Sequence, residues 1–315
     1  MMQTIALSNQ RHQIEMTKLV IGHARYKDLS FMHNCFDKYL AEGGNTIDTA
    51  RIYDHGLGER MVGDYLKTKQ RDKIVLVTKC AHFDPNFYPI RHRVSETDIR
   101  FDVETSLREL QTDYIDVLFL HRDDIRRPVE SIMPVLHELV TDGKVRVLGT
   151  SNWTGGRIQA ANDFALENGL TPFSVSQIHH SLALTTAAQS GDVTHLIMDS
   201  TEYHWYKEKQ FPVMAWSPTG GGFFSKLANG EPVRAGTQKR YGWLEENFHR
   251  AERVKALAAQ KNASIGAVVL SYLMSDAHVP TATVTAFTKQ EQFDEILEST
   301  KVHLTEEERT FLAGC

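Results

Sequence analysis

Length, composition and charge place this chain among large globular proteins. It has 315 residues, of which 41% are hydrophobic and 24% are charged, ordinary proportions for a folded protein with a sizeable core. A net charge of −5 argues against nucleic acid or an anionic membrane as a partner. No apolar stretch approaches the roughly 18 residues that a membrane span needs, and no secretory signal is visible at the start. Three scattered cysteines, Cys35, Cys80 and Cys315, form no disulfide framework, so we expect a cytoplasmic protein.

Strand-like and helix-like segments alternate along the whole chain. The pattern predicts strands at residues 19–22, 46–50, 74–78, 115–120, 145–149, 173–178, 211–216 and 281–286. It predicts helices at residues 30–43, 59–67, 95–110, 132–140, 154–167, 192–209, 247–261, 264–275 and 289–300, and a short final helix capped by Thr305. Residues 219–241, rich in glycine and polar residues, are predicted to be a long binding loop or lid.

This alternation predicts the fold. Eight βα units with no break in composition favour a single α/β domain over residues 1–315, a (β/α)₈ barrel of the TIM type. The strands are predominantly apolar, as in residues 74–77 and 117–120, which is typical of a parallel sheet covered by helices. The residues before Leu19 are predicted to form a hairpin that closes the bottom of the barrel.

Four polar residues lie at or just after the carboxyl ends of three predicted strands: Asp48, Tyr53, Lys79 and His121. The chemistry of a (β/α)₈ barrel sits at that end. Reduction of a carbonyl needs a hydride and a proton. A tyrosine can give the proton when an ammonium stabilises its phenolate, a carboxylate can hold that ammonium, and a histidine can align the substrate oxygen.

Each of these four residues also has a plain structural explanation. The aspartate can cap a turn, the tyrosine can lie on the surface, the lysine can extend along the rim, and the histidine can be a satisfied residue at a strand end. Singly each explanation is the better one, but four such residues at three strand ends favour a common site. The pattern therefore predicts an oxidoreductase.

Other motifs are weaker. The run from Gly56 to Met61 begins like a dinucleotide fingerprint but lacks its last glycine and its βαβ unit. No His-Glu-x-x-His or comparable ligand cluster is present, His179-His180 reads as a loop pair, and we predict no metal site. The glycine-rich run at residues 217–222 follows the seventh predicted strand, where barrels often bind phosphate, although a flexible loop is an equally good interpretation.

At this point the sequence resembles the aldo-keto reductase superfamily from Leu19 to the end of the chain. The resemblance rests on GGNTIDTARIY at residues 43–53, VTKC at residues 77–80 and DYIDVLFLH at residues 113–121. It implies a catalytic tetrad of Asp48, Tyr53, Lys79 and His121, and a (β/α)₈ barrel. It also implies an extended nicotinamide cofactor bound without a Rossmann fold.

The resemblance also implies contacts with the cofactor. Ser151 and Asn152, in a Gly-x-Ser-Asn motif, and Gln177 would hold the carboxamide, and Trp216 would stack on the nicotinamide where most members have tyrosine, as in a bacterial branch of the family. Residues 219–223, with Thr219, Gly220 and Gly221, would wrap the pyrophosphate, Ser217 would also contact the cofactor, and Thr288, Lys289 and Gln292 would lie at its adenosine end. The family default is NADP(H), although the unusual sequence near Lys289 leaves NAD(H) open.

The resemblance places Ala24, Arg25, His82 and Phe83 around the substrate. Arg25 would favour a carbonyl that carries a carboxylate or phosphate, unless it pairs with an acid at the rim. A small-molecule carbonyl is the expected partner, and a monomer is the family default. Two alternatives are a noncatalytic, NADPH-binding regulatory subunit and a metal-dependent barrel hydrolase or lyase, for which the sequence offers no ligand cluster.

Overall fold

A closed parallel barrel forms the centre of the computed structural model, which describes residues 2–22, 28–83 and 91–314. The strands in chain order are β1 (Thr4–Ser8), β2 (Gln13–Thr17), β3 (Leu19–Gly22), β4 (Thr46–Asp48), β5 (Val75–Cys80), β6 (Ile115–Leu120), β7 (Val145–Ser151), β8 (Phe173–His179), β9 (Val213–Trp216) and β10 (Thr281–Thr285). Strands β3 to β10 pair in sequence order, and β10 closes the ring against β3. The predicted (β/α)₈ barrel is confirmed.

Helices follow the barrel strands and cover them. They are α1 (Leu29–Ala41), α2 (Leu57–Leu66), α3 (Glu96–Leu110), α4 (Met133–Thr141), α5 (Gly155–Glu167), α6 (Ala187–Ser190), α7 (Ser200–Lys209), α8 (Phe223–Ala228), α9 (Ala235–Tyr241), α10 (Glu245–Lys261), α11 (Ile265–Met274), α12 (Gln290–Glu298) and α13 (Glu306–Ala313). Polar caps fix several boundaries: the Ser95 side chain accepts from the Asp98 amide at the start of α3, and Thr305 with Glu308 forms a capping box at α13. Throughout the described residues, no helix is long and apolar enough to cross a membrane.

The barrel has an apolar bottom. Strands β1 and β2 form the expected antiparallel hairpin, and its alternating pattern buries one face, with Ile5, Leu7, Ile14 and Met16 inside. These side chains belong to the same core cluster as Val117 and other residues of the barrel interior. The carboxyl ends of the parallel strands, with their polar residues, lie together at the opposite rim.

Two predictions about local structure are wrong. Residues 192–199 do not belong to a helix: α7 begins only at Ser200, because the preceding segment bonds to β8 through a parallel bridge between His179 and Ile197. Residues 219–241 are not an unstructured loop. They contain a 3-10 turn at Gly220–Gly222 and the helices α8 and α9, which Phe223, Phe224 and Tyr241 anchor by burial.

Candidate active site

The carboxyl ends of β4, β5 and β6 bring the four predicted site residues together. Asp48 is the last residue of β4, Lys79 is the next-to-last residue of β5, and His121 directly follows β6. Tyr53 begins a 3-10 turn that leaves β4. Asp48, Lys79 and His121 are buried, so their polar groups must find partners within the protein.

Lys79 and Asp48 form a buried ion pair. Lys79 Nζ lies 2.8 and 2.7 Å from the two carboxylate oxygens of Asp48 and donates a third hydrogen bond of 2.8 Å to the carbonyl of Thr49. Burial alone would lower the pKa of Lys79, but Asp48 and Tyr53 outweigh it and raise that pKa above its ordinary value. The ammonium is therefore permanently charged and fully directed by its three acceptors.

Tyr53 lies against this ammonium. Lys79 Nζ is 4.9 Å from the centre of the Tyr53 ring, and Tyr53 helps to raise the pKa of Lys79. The Tyr53 ring meets the His121 ring edge to face, with 5.8 Å between centres. The next two residues, Asp54 and His55, have φ values of 47° and 55°. Non-glycine residues seldom adopt this left-handed conformation, and strain of this kind often marks functional sites.

His121 is a neutral imidazole. Burial, followed by the charge of the adjacent Arg122, holds its pKa well below the ordinary value. Its Nδ1 is buried and has no hydrogen-bond partner within the described residues. A neutral imidazole can donate one hydrogen bond to an oxygen without releasing its proton.

Of the four residues predicted to surround the substrate, the described part of the chain includes His82 and Phe83. The His82 ring lies 4.6 Å from His121 and 4.4 Å from Phe83, centre to centre, so both predicted residues after β5 border the site. Burial and Arg122 lower the pKa of His82 to about 4. Ala24 and Arg25 lie outside the described residues.

The residues predicted to hold the carboxamide are neighbours on β7 and β8. Ser151 and Gln177 are paired in register, and the Asn152 amide donates to the carbonyl of Gln177 at 3.1 Å. The Asn152 side chain donates to Ser151 Oγ at 3.0 Å, and the Gln177 side chain donates to Asp48 Oδ1 at 3.1 Å. Gln177 thus links these neighbouring residues to the Lys79–Asp48 ion pair.

Trp216 ends β9 at the same rim, half-buried between two histidines. The His179 and His195 rings each lie 4.7 Å from the indole, at interplanar angles of 84° and 55°. Ser217, the next residue, has φ 55°, so the chain turns sharply away from the indole. The interpretation of His179-His180 as a loop pair is wrong for His179, which is buried at the end of β8. The contact of His195 with the indole was missed, because His195 lies in the segment mispredicted as helix.

The phosphate candidate is a run of left-handed glycines. Gly220, Gly221 and Gly222 have φ values of 59°, 67° and 76°, which L-residues rarely adopt. A Cβ at Gly221 would lie 3.1 Å from Thr237 Oγ1, and one at Gly220 would lie 3.1 Å from Ala183 Cβ. The run, which follows Thr219, is a tight backbone turn. Side chains at Gly220 and Gly221 would crowd it, whereas glycines allow a diphosphate to approach the backbone closely.

The adenosine candidates lie at the start of α12. Gln292 folds back so that its Oε1 accepts from the Thr288 amide at 2.9 Å and lies 3.3 Å from its hydroxyl. Lys289 occupies the N-cap position and is exposed. A cation beside the amides of a helix N-terminus suits an anion.

Together, the groups at this rim fit a nicotinamide dinucleotide. They provide an indole for stacking, amide side chains for a carboxamide, a glycine turn for a diphosphate and a cation at a helix start. In the described part of the chain, no group of three or more His, Cys, Asp or Glu residues could hold a metal ion.

Comparison with known proteins places residues 18–314 within a single family model, the Aldo/keto reductase family. Norsolorinic acid reductase of Aspergillus flavus is 33% identical over 288 residues, 89% of this chain and 70% of its own. The 6-dehydroglucose reductase of Agrobacterium fabrum is 34% identical over 249 residues, 74% of this chain and 77% of its own. An aryl-alcohol dehydrogenase of Pestalotiopsis microspora is 29% identical over 260 residues, 80% of this chain and 63% of its own.

Proposed function

This chain belongs to the Aldo/keto reductase family, and we propose that Tyr53 is its proton donor and NADPH its preferred cofactor. Membership makes the protein an NAD(P)H-dependent oxidoreductase that reduces carbonyl compounds. The observation that carries the assignment of Tyr53 is the buried Lys79–Asp48 pair at 2.7 Å, with the Lys79 ammonium 4.9 Å from the centre of the tyrosine ring.

The proton step follows from this geometry. A reduced nicotinamide, when bound, would supply a hydride to the carbonyl carbon, and the oxygen would then need a proton. Tyr53 gives that proton from its hydroxyl, and Lys79 stabilises the phenolate that remains. Asp48 keeps Lys79 charged and oriented, while His121 donates a hydrogen bond that aligns the carbonyl oxygen. In alcohol oxidation the same groups act in reverse.

The cofactor contacts are part of the same proposal. Ser151, Asn152 and Gln177 bind the carboxamide, and Trp216 stacks on the nicotinamide ring. Ser217, Thr219, Gly220 and Gly221 turn around the diphosphate. These assignments are supported by the common position of the residues at one rim and by the left-handed glycine run beside them.

The preference for NADPH over NADH rests on the start of α12. The 2′-phosphate of NADPH is an anion, and the start of α12 offers a cation, Lys289, and a helix N-terminus whose amides have no side-chain cap. Gln292 holds the Thr288 amide in place. A Lys289→Ala variant should therefore raise KM for NADPH and leave KM for NADH unchanged, and equal changes for both cofactors would contradict the preference.

The experiment that tests the function measures NADPH oxidation at 340 nm with aliphatic and aromatic aldehydes, ketones and dicarbonyls. Aromatic carbonyls belong in the panel because one relative is named an aryl-alcohol dehydrogenase. We expect wild-type turnover, and a loss of at least about 100-fold in kcat for Tyr53→Phe with NADPH binding retained. Tyr114→Phe, before β6 at the opposite end of the barrel, is the matched control and should behave as wild type.

The noncatalytic sensor has no support in the comparisons, since the relatives carry the names of reductases and a dehydrogenase. This alternative would be favoured only if wild-type protein bound NADPH and turned over no carbonyl in the panel. A single domain over residues 1–315, a monomeric state and a cytoplasmic location stay predictions.

A further inference from the structure

Two imidazoles contact the Trp216 indole, and neither has a role in the chemistry described above. His179 meets the indole edge to face and His195 at 55°, each with ring centres 4.7 Å apart. Trp216 keeps part of its surface exposed. Aromatic pairs at this separation are attractive, and the edge-to-face arrangement is a preferred one. The indole is thus restrained by two of its neighbours, and part of its surface stays exposed.

Each imidazole is itself fixed through its Nε2. His179 Nε2 lies 2.9 Å from the hydroxyl of Tyr241, and Arg122 donates to His195 Nε2 at 3.1 Å. Asp192 Oδ2 also lies 3.3 Å from His195 Nε2. The Nδ1 atoms of both rings are buried without a hydrogen-bond partner among the described residues. Each ring is therefore anchored through its Nε2 atom, His179 by Tyr241 and His195 by Arg122 and Asp192.

The backbones that carry the two histidines are joined. The Met198 amide donates to the carbonyl of His179 at 2.8 Å, and the His179 amide donates to the carbonyl of Leu196 at 3.2 Å. The Leu196 amide also donates to Asn152 Oδ1 at 3.2 Å, which links the segment to the proposed carboxamide site. A movement of this segment would shift His195, Trp216 and Asn152 together.

Both rings are also uncharged. Burial, then the charge of Arg240, lowers the pKa of His179 to about 3, and burial with Arg122 lowers that of His195 to about 4. Oxidised nicotinamide carries a positive charge, so neutral rings beside the indole avoid repulsion of the cofactor in that state.

We propose that His179 and His195 are positioning residues that fix the orientation of Trp216, so that its open part stacks on the nicotinamide in the geometry of hydride transfer. This inference rests on the proposed function, because it needs a nicotinamide at Trp216. It assigns the segment that leads into α7 a role in cofactor geometry.

The test compares His195→Ala with His195→Phe. His195→Ala removes the ring and should lower kcat about 10- to 100-fold, since small errors in alignment are costly, with a smaller rise in KM for the carbonyl. The primary deuterium isotope effect on kcat/KM should increase, because hydride transfer becomes slower relative to binding. His195→Phe retains a ring beside the indole and should recover most of the rate. His204→Ala, on the exposed face of α7, is the control.

The other histidine is tested through its anchor. Tyr241→Phe removes the hydroxyl bonded to His179 Nε2 and keeps the ring, which avoids a cavity in the core. It should raise the isotope effect in the same direction as His195→Ala. An unchanged isotope effect in both variants would overturn the inference, because a mere loss of folded protein lowers the rate without altering that effect. If wild-type enzyme reduces no carbonyl, or if Tyr53→Phe retains full activity, the proposed function fails instead.

Discussion

At the scale of single residues, Lys79 has the strongest structural constraint in the site. It is almost completely buried, and its charge is balanced by one carboxylate. Burying a charge is costly unless it is paired and hydrogen-bonded. The same contacts that make the ammonium useful to Tyr53 therefore also stabilise the fold, so activity and stability should fall together when Lys79 is changed.

Lys79→Met retains the side-chain length and removes the charge. Asp48 then remains buried without its cation, which should lower the free energy of unfolding by about 3 to 5 kcal/mol. The kcat should also fall by at least about 100-fold, since nothing stabilises the phenolate of Tyr53. Urea titration and the assay at 340 nm measure the two effects.

Lys73→Met is the matched control. Lys73 lies on the surface, and its nearest acid, Asp72, is 3.9 Å away. The control should change stability by no more than about 0.5 kcal/mol and leave kcat unaltered. Equal losses in the two variants would mean that the buried pair has no special role.

The site was predictable wherever a residue's position followed from a strand end. Asp48, Lys79 and His121 lie at one rim because consecutive parallel strands end there, and strands can be recognised from apolar runs alone. The contact between His195 and Trp216 was not predictable. It depends on the bridge between His179 and Ile197, a tertiary pairing that leaves no periodic signal in the sequence.

At the scale of elements, the eight barrel strands were predictable because burial on both faces favours runs rich in apolar and β-branched residues. Helices α8 and α9 were missed for the opposite reason. They have six and seven residues, follow a glycine run, and contain too few turns to show a 3.6-residue period. Only tertiary burial of Phe223, Phe224 and Tyr241 explains why the segment is helical.

The close approach of α2 and α3 gives a prediction at this scale. A Cβ at Gly63 would lie 2.5 Å from the carbonyl oxygen of Glu109 and 2.9 Å from the carbonyl carbon of Leu110. Both atoms belong to the backbone, so the helices must separate. Gly63→Ala should destabilise the protein by about 1 to 3 kcal/mol, as measured by urea titration, despite the higher helix propensity of alanine.

Gly156→Ala separates packing from propensity. Gly156 lies in α5, and a Cβ there would meet nothing within 4 Å. Alanine should therefore stabilise the protein by roughly 0.4 to 1 kcal/mol. Opposite signs for the two glycines are the expected result, and two stabilising substitutions would show that α2 and α3 do not need the close contact.

At the scale of the whole molecule, the two ends of the barrel differ in chemistry. The bottom is sealed by the apolar face of the β1–β2 hairpin, and the other rim collects buried histidines that stay neutral. His121 and His179 are both buried, and burial is the main reason that each pKa lies below the ordinary value. The folded protein thus keeps these histidines neutral, whereas acid favours their protonated form.

This arrangement predicts a loss of stability on acidification. An unfolded histidine has a pKa near 6.5 and takes up a proton as pH falls below that value, whereas His121 and His179 in the folded state do not. The unfolded state therefore binds more protons, and the free energy of unfolding should fall by up to about 1.4 kcal/mol per pH unit for each group below pH 6.5. For His179 the loss ends near its folded pKa of about 3.

Urea titrations at several pH values between 7.5 and 4.5 measure this dependence. Glu59 opposes it, because burial raises its pKa, but His82 and His195 act in the same direction as the two buried histidines. His179→Gln should reduce the slope by up to about 1.4 kcal/mol per pH unit, whatever its effect on stability at pH 7.5. If His179→Gln leaves the pH dependence of the free energy of unfolding unchanged, His179 takes up a proton in the folded protein as it does in the unfolded chain. The conclusion that the histidines at this rim stay neutral would then be wrong.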